Sequence, residues 1–466
     1  MPTPDDPAPP AADTTESAAG SAEDIDGTAA APPPPHTFRT VALVLALCWL
    51  AVFFEGMDVN IYGAVLPHLL DDPELGFTPS TAGTVGSWTT FGMLIGALTA
   101  GNLTDWLGRR PVIVASVGVF SAGSAVCALA HGAAPFAGGR FFAGLGLGGL
   151  MPLCLAVVAE FAPPHRGALA AGLLVTSYHA GGMAATGLGL ALAPTAGWRW
   201  VFWAGVLPAV VAVPLLLRLL PESPAVLLAR GRRAESDAVA DRYGLQRAVP
   251  AEAPPGGAKG RLEAVAALFR GGSLWATPLL WIASFCGLLL VYGVSTWLPQ
   301  LMRASGYGLS SSVAFLLVVN AGGIVGMLIA GRTADRFGAC RVSAIWFLLT
   351  AGCALLLKVP LPVAVTAAVV FVTGIWLFSA QVMVFAATSA VYGPGERAAG
   401  LGWVNGVGRA GAIVGPWLGG AVLAHGNAGW GFTTFALAGL AGAATVALVP
   451  PAVRSRGGAP PQPAAP

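Results

Sequence analysis

Long apolar runs, separated by short polar stretches, follow one another along most of this 466-residue chain. A helix needs about 20 mainly apolar residues to cross a lipid bilayer, and the runs predict twelve such helices. The first six are expected at about 40–66, 81–103, 111–131, 135–159, 167–193 and 200–220. The other six are expected at about 275–301, 310–332, 341–357, 361–388, 398–424 and 431–450. The pattern therefore predicts an all-α membrane protein.

A polar segment at 221–273 divides the twelve predicted helices into two groups of six. We therefore expect an N-terminal six-helix bundle at 40–220, a cytosolic central loop at 221–273 and a C-terminal six-helix bundle at 274–450. Residues 1–39 are rich in Pro, Ala, Asp and Glu, which is typical of a disordered tail and not of a signal peptide. Residues 451–466 have a similar composition and are expected to form a second cytosolic tail.

One short loop motif occurs twice, half a chain apart. The sequence Gly-x-x-x-Asp-x-x-Gly-Arg-Arg at 101–110 returns in altered form at 331–341, each time between two apolar runs. Such a repeat indicates two related membrane bundles, an arrangement used by many secondary transporters, which handle their substrate between the halves.

The charged residues of these loops are candidates for gating contacts. Asp105 and Asp335 are expected to pair with neighbouring arginines or to cap a helix, and Glu160 is expected near Arg110. Such contacts would hold one side of the protein closed and break when it opens; the alternative is a charged loop that only sets topology. We assign gating roles to the following residues: Asp105, Arg109, Glu160, Asp335, Arg336 and Arg397.

Composition supports a membrane protein and excludes several other classes. Only 10% of the residues are charged and the mean hydropathy is +0.72, whereas soluble domains carry roughly 25% charged residues. No basic patch interleaved with aromatic residues suggests nucleic-acid binding. The six cysteines are scattered without metal-ligand spacing. We expect no metal, no cofactor beyond a proton gradient and no enzymatic activity.

The distribution of positive charge predicts the orientation. Arginines concentrate in the loops between helices two and three, four and five, eight and nine, and ten and eleven, and in the central loop. Because loops rich in Lys and Arg stay in the cytosol, both termini are expected to be cytosolic and the protein to span the plasma (inner) membrane many times.

Four charged residues lie well inside predicted helices: Glu55, Asp58, Arg140 and Arg409. A charge at mid-bilayer costs about 2.5–3.5 kcal/mol on insertion scales, so each must face a wet cavity or a partner. Glu55 and Asp58 are three residues apart, hence on one helix face. Their mutual repulsion favours protonation of one of them, which suits proton coupling. Alternatively, one carboxylate neutralises Arg140.

The two arginines are candidates for binding a substrate carboxylate. Arg140 and Asp58 reach similar depths and could pair, either as a switch or as a permanent structural ion pair. No acidic residue is predicted inside the second bundle to pair with Arg409. We therefore favour Arg409 as a binding site for a substrate carboxylate, through two hydrogen bonds, over pairing with Asp58 or Glu55.

Four uncharged candidates for substrate binding are Tyr62, Trp403, Gln381 and His179. Aromatic residues in membrane helices are mostly packing or lipid-facing residues, and a histidine beside Gly181 in an apolar helix is more often a packing residue than a titrating one. These alternatives remain open.

The motifs resemble the major facilitator superfamily over about 40–450. The resemblance rests on the repeated loop, on Arg140-x-x-x-Gly144-x-x-x-Gly148 and on Pro-Glu-Ser-Pro at 221–224. The chain most resembles the aromatic acid:proton symporters, the benzoate and hydroxybenzoate carriers, in three stretches: 55–58, 140–160 and 397–420. The resemblance implies functional roles for the two acids of the first helix, for both loop aspartates and for Arg140, Glu160, Arg397 and Arg409.

Together these features predict a monomeric, proton-coupled secondary transporter that imports a small benzoate-like aromatic carboxylate by alternating access. Its partners would be that carboxylate, protons and the lipid bilayer, but no nucleic acid. Asp58 and Glu55 would carry protons, and Arg409 and Arg140 would meet the carboxylate. The alternatives are a carrier for another organic anion and an exporter of small metabolites.

Overall fold

The computed structural model describes residues 38–163, 166–249, 263, 265–270, 273–393, 396–425 and 428–454. The tail predicted at 1–39 lies outside the described residues except for its last two residues. The tail predicted at 451–466 lies outside them except for its first four residues. Most of the central loop from 250 to 272 also lies outside them.

The N-terminal half consists of helices that match the first six predicted spans. They are α1 (Phe38–Asp71), α2 (Pro79–Leu107), α3 (Arg109–Ala128), α4 (Ala133–Phe161), α5 (Gly167–Leu192), α6 (Trp198–Ala204) and α7 (Leu207–Leu219). The predicted sixth span is thus two consecutive helices. Gly205 separates them beside Ser124, and Pro208, which favours a helix start, opens α7.

Two short helices occupy the start of the central loop, and the second half follows. The short helices are α8 (Pro224–Ala229) and α9 (Arg233–Tyr243). The C-terminal half contains α10 (Ser273–Ala304), α11 (Leu309–Phe337), α12 (Ala339–Leu356), α13 (Val363–Val391), α14 (Arg397–Ala424) and α15 (Ala428–Arg454). The described residues form helices and turns and contain no strand.

Ten spans in the described part of the chain are long and apolar enough to cross a membrane, α6 and α7 counting as one. The two remaining predicted spans are α2 and α5, with 29 and 26 residues. Each packs extensively inside its own half, α2 on α4 and α5 on α1. The predicted fold class, twelve helices in two bundles, is confirmed.

The two halves meet through matching helix pairs. Helix α2 of the first half packs on α14 of the second, and α5 packs on α11. We call the end of the molecule that carries the repeated loops the motif side, and the end at Asp71 and Ala304 the far side.

The contacts between the halves lie at mid-depth and towards the far side. Ser87 on α2 donates a hydrogen bond from Oγ to the carbonyl oxygen of Ile413 on α14, 2.6 Å away. On the motif side, a Cβ atom placed on Gly101 or Gly331 would meet nothing within 4 Å, and Trp106 at the end of α2 is 82% exposed. The halves are therefore closed together on the far side and apart on the motif side.

Close approach of α1 and α5 depends on glycines. A Cβ on Gly181 would collide with the backbone carbonyl oxygen of Phe53, and one on Gly56 would collide with that of Tyr178. These glycines let the two helices touch backbone to backbone, as small residues do in membrane helix pairs. The contact fixes where the polar residues of α1 and α5 lie relative to each other.

We expect Gly181→Ala to destabilise the folded transporter by about 1–3 kcal/mol, because the added methyl group has to push two helix backbones apart. Gly172→Ala is the matched control on the same helix, since its Cβ would meet nothing within 4 Å. Thermal unfolding in detergent should give a lower midpoint for the first variant only. Equal midpoints for the two variants would contradict the role of this contact.

Candidate functional site

Asp58 and Arg140 form a buried ion pair inside the N-terminal half. Arg140 donates from Nη1 to Asp58 Oδ1 over 2.8 Å, and the side chains of both residues are 1% exposed. Ser124 donates to the other carboxylate oxygen of Asp58, and Arg140 Nε donates to Thr89 Oγ1 over 3.1 Å. Both charges are thus compensated by named partners.

Glycines on α4 allow this pairing. A Cβ on Gly144 would collide with the carbonyl oxygen of Thr89, and one on Gly148 would collide with that of Met93. The close packing of α4 on α2 brings Arg140 within reach of Thr89, while α1 supplies Asp58 from the other side. The Asp58–Arg140 pair, which was considered from the sequence because both residues lie at similar depths in their helices, is therefore present. In this conformation the Arg140 guanidinium donates to protein groups from Nε and Nη1.

Arg409 has no such partner. It is partly exposed on α14, and its Nη1 donates to Tyr292 Oη over 3.3 Å. Its buried Nε has no hydrogen-bond partner among the described residues. Among the described residues, no carboxylate lies within 4.0 Å of this guanidinium. Gly408 and Gly411 let α14 approach Ser284 and Phe285 on α10, which places Arg409 beside Tyr292.

Glu55 is the acid that faces Arg409. It is 3% exposed, its Oε2 has no hydrogen-bond partner among the described residues, and it lies beside the backbone of Met151. Arg409 is the cation that acts electrostatically on it across the two halves. The Glu55 carboxyl therefore has one free oxygen, unlike that of Asp58.

Four residues from four helices make up what we call the Arg409 cluster: Glu55 on α1, Tyr178 on α5, Tyr292 on α10 and Arg409 on α14. Tyr178 interacts electrostatically with all three of the others. The cluster joins both halves and combines one acid, one arginine with spare donors and two phenol groups. It can bind an anion at the guanidinium and a proton at the carboxylate.

A second polar group lies between the halves at mid-depth. His179 Nδ1 faces Asn320 Oδ1 at 3.2 Å, and Asn320 Nδ2 donates to Asn60 Oδ1 over 3.4 Å. The His179 ring lies 4.4 Å from that of Phe378, measured between centroids. His179 is therefore a hydrogen-bonded residue that joins α5 to α11, in a contact that Gly323 keeps close.

The other predicted substrate residues lie in different places. Gln381 is buried and donates to Ser284 Oγ over 3.1 Å, while its own oxygen has no partner among the described atoms. Tyr62 is buried in the N-terminal half, and its hydroxyl donates to the carbonyl oxygen of Ala82 over 2.6 Å. Trp403 is 45% exposed and stacks on Trp281, about 9 Å along α14 from Arg409 on the motif side.

On the motif side, the predicted gating residues of the first half form a network. Arg109 pairs with Glu160, and Ser223 Oγ donates to the other Glu160 oxygen over 2.5 Å. Glu222 accepts hydrogen bonds from the backbone nitrogens of Arg109, Arg110 and Ser223. The expected neighbour of Glu160 was Arg110, but the Arg110 side chain instead donates to the carbonyl oxygen of Leu217.

In the described part of the chain, the matching residues of the second half form no ion pairs. Asp335, Arg336 and Arg397 form no ion pair with any described residue, and Arg336 lies over the ring of Phe337. The Asp105 carboxylate is likewise outside the ion pairs of the described chain. The arginine pairing expected for Asp105 and Asp335 is thus absent in a conformation whose motif side is open.

The far side carries an ion pair that no sequence pattern indicates. Arg303 at the end of α10 binds Asp71 at the end of α1 over 2.8 Å, and it also donates to the carbonyl oxygen of Pro67. This pair joins the two halves where they are closed. Ser124 and Asn60 also become visible only in the structure, because their partners come from other helices.

No group of three or more His, Cys, Asp or Glu side chains in the described part of the chain is placed to hold a metal ion.

The sequence of the chain is similar to a family model and to characterised proteins. The family model described as Major Facilitator Superfamily matches residues 48–385 and 319–466. The chain is 33% identical over 404 residues to the benzoate transport protein of Acinetobacter baylyi, covering 82% of this chain and 83% of that protein. It is 34% identical to the gentisate transporter of Corynebacterium glutamicum, covering 83% of this chain and 82% of the relative.

A third relative and one solved structure agree with this assignment. The 4-hydroxybenzoate transporter PcaK of Pseudomonas aeruginosa is 34% identical, covering 84% of this chain and 87% of that protein. The xylose transporter XylE from E. coli, solved in a partially occluded inward open conformation, superposes with a TM-score of 0.66 at 16% identity. The superposition covers 87% of this chain and 97% of the XylE chain. This similarity concerns the fold alone.

Proposed function

Because the chain belongs to the aromatic acid transporters of the major facilitator superfamily, we propose that it imports a small benzoate-like carboxylate with protons by alternating access. It is a multi-pass membrane transporter and not an enzyme. The observation that carries the proposal is the Arg409 guanidinium, which lies between the halves without a carboxylate partner among the described residues.

The Arg409 cluster suits a carboxylate. A planar guanidinium with free donors binds a carboxylate through two parallel hydrogen bonds, and Tyr292 already contacts it. The buried Nε of Arg409 is costly while it has no partner, so a substrate oxygen that accepts from it removes that cost. The phenol rings of Tyr178 and Tyr292 offer faces for an aromatic ring.

Proton coupling follows from the two anions that would share Arg409. A substrate carboxylate bound there lies close to Glu55, and the repulsion between the two negative charges favours a proton on Glu55. Substrate and proton then bind together, because each makes the other more favourable. Asp58 is the second coupling acid in this proposal: a proton there would release Arg140 and loosen α1 from α4.

The direction of transport is inferred from the charged loops. Since Arg-rich loops remain cytosolic, we place the motif side in the cytosol, with both termini there and the plasma membrane as location. The conformation with its far side closed is then the inward-facing one. The Asp71–Arg303 pair would break, and the motif side would close, when the transporter turns outward.

Uptake into proteoliposomes is the direct test. We expect labelled benzoate to accumulate when the pH is lower on the far side than inside, and accumulation to stop when a protonophore collapses the gradient. Unlabelled gentisate and 4-hydroxybenzoate should compete, while a non-aromatic acid such as succinate should not. Competition by succinate alone would favour a carrier for another organic anion, and loss of preloaded benzoate down the same gradient would favour an exporter.

Glu55→Gln should separate coupling from binding. The variant keeps the size of the side chain but cannot take up a proton, so pH-driven accumulation should be lost. Counterflow, in which labelled substrate exchanges for unlabelled at equal pH, should remain. Glu55→Asp is the matched control, because it keeps a carboxyl group and should retain part of the accumulation. Full pH-driven accumulation by Glu55→Gln would assign the proton elsewhere.

A further inference from the structure

A cleft of about 650 Å³ lies on the motif side of the N-terminal half, outside the Arg409 cluster. It is bounded by the start of α1, the start of α3, the end of α7 and the two short helices α8 and α9. Five arginines line it, and we call it the arginine cleft: Arg110, Arg218, Arg230, Arg232 and Arg242. The transport mechanism proposed above uses none of these side chains.

The positive charge of the arginine cleft is mostly uncompensated. Of its two acids, Glu235 pairs with Arg232 through two hydrogen bonds, and Glu222 is held by backbone N–H groups. The other four arginines make no ion pair with a carboxylate in the described part of the chain. The cleft therefore presents spare guanidinium donors, which bind phosphate oxygens well.

One wall of the arginine cleft is apolar and exposed. Four leucines of this wall are between 39% and 49% exposed: Leu43, Leu107, Leu217 and Leu219. Leu43 lies near the start of α1, Leu107 ends α2, and Leu217 and Leu219 lie at the end of α7. Helix ends at this level are where membrane helices pass from hydrocarbon to headgroups. The cleft thus joins cationic donors to exposed apolar side chains at the motif-side ends of the helices.

We infer that the arginine cleft binds an anionic phospholipid of the motif-side leaflet, with its phosphate among the arginines and its acyl chains along the leucines. Basic pockets at the ends of membrane helices recognise such headgroups. A free phosphate would use the same donors, but it would leave the four exposed leucines without a partner. This inference does not depend on which substrate is carried.

Native mass spectrometry of the full chain released from detergent micelles tests the inference. The probes are phosphatidylglycerol, which is anionic, and phosphatidylethanolamine with the same acyl chains, which has no net charge. We expect phosphatidylglycerol to remain bound preferentially. An arginine near an anionic lipid surface contributes about fivefold in affinity, so Arg218→Gln combined with Arg242→Gln should lower its binding roughly 30-fold.

Arg233→Gln is the matched control, because Arg233 is exposed on α9 but does not line the cleft. Unchanged binding by this variant supports the inference, and an equal loss would show that only overall charge matters. Equal retention of both lipids by the wild type, or displacement of phosphatidylglycerol by millimolar inorganic phosphate, would overturn it. Thermal unfolding without added lipid checks that the double variant is folded.

Discussion

Replacing Arg409 with glutamine is expected to lower benzoate binding and uptake about 30-fold or more. The substrate carboxylate would lose both charge-assisted hydrogen bonds, a loss that typically costs 2–5 kcal/mol. Binding measured by isothermal titration in detergent, together with initial uptake rates in proteoliposomes, gives the size of the effect. The loss should appear in affinity, because this side chain is assigned to binding and not to proton transfer.

Two further variants sharpen the test of Arg409. Arg409→Lys keeps the charge but not the planar pair of donors, so its affinity should lie between those of the wild type and the glutamine variant. Arg341→Gln removes an exposed arginine of the same half on the motif side, and it should bind normally. If Arg409→Gln bound benzoate with wild-type affinity, Arg409 could not be the binding site of the substrate carboxylate.

Asp58→Asn is expected to destabilise the protein by about 3–5 kcal/mol, because it leaves the Arg140 charge buried without its partner. Arg140 is 1% exposed, so water cannot take over the lost ion pair. The variant should unfold at a much lower temperature in detergent and should show no pH-driven uptake. Asp241→Asn, which removes an exposed pair with Arg247, should cost at most about 1 kcal/mol.

A double variant distinguishes folding from function at Asp58. Asp58→Asn with Arg140→Gln removes both charges and should regain most of the lost stability, since neutral replacement of a buried pair is often tolerated. The same variant should still lack pH-driven accumulation if Asp58 carries a proton. Restored accumulation would mean that the pair is purely structural, which is one of the two interpretations that the sequence left open.

Much of the fold could be predicted from the sequence because the membrane imposes a simple rule on length and polarity. Helix α2, like α5, is an exception to this rule. It carries serines, threonines and glycines and is absent from the ten apolar spans. The run at 81–103 was nevertheless expected to form a span, because it is mainly apolar despite these residues. The break between α6 and α7 was not expected, because Gly205 within an apolar run gives only a weak signal.

The candidate site was less predictable, and the reason is geometric. Asp58 and Arg140 could be matched by depth, since two costly charges at the same level favour pairing. The prediction that placed Glu160 near Arg110 was wrong: Arg109 is the partner, because adjacent residues point in different directions from a helix start. The Asp71–Arg303 pair depends on which side of the protein is closed, and that information is conformational.

The contact of His179, Asn320 and Asn60 lies at mid-depth between an end that is closed and an end that is open. In the alternating access proposed above, points near this level would move little, whereas Asp71, about 16 Å further along α1 than Asn60, would move far. These three residues would then lie at the pivot of the movement. Weakening it would make both orientations of the transporter less stable to a similar degree, and the balance between them would stay nearly unchanged.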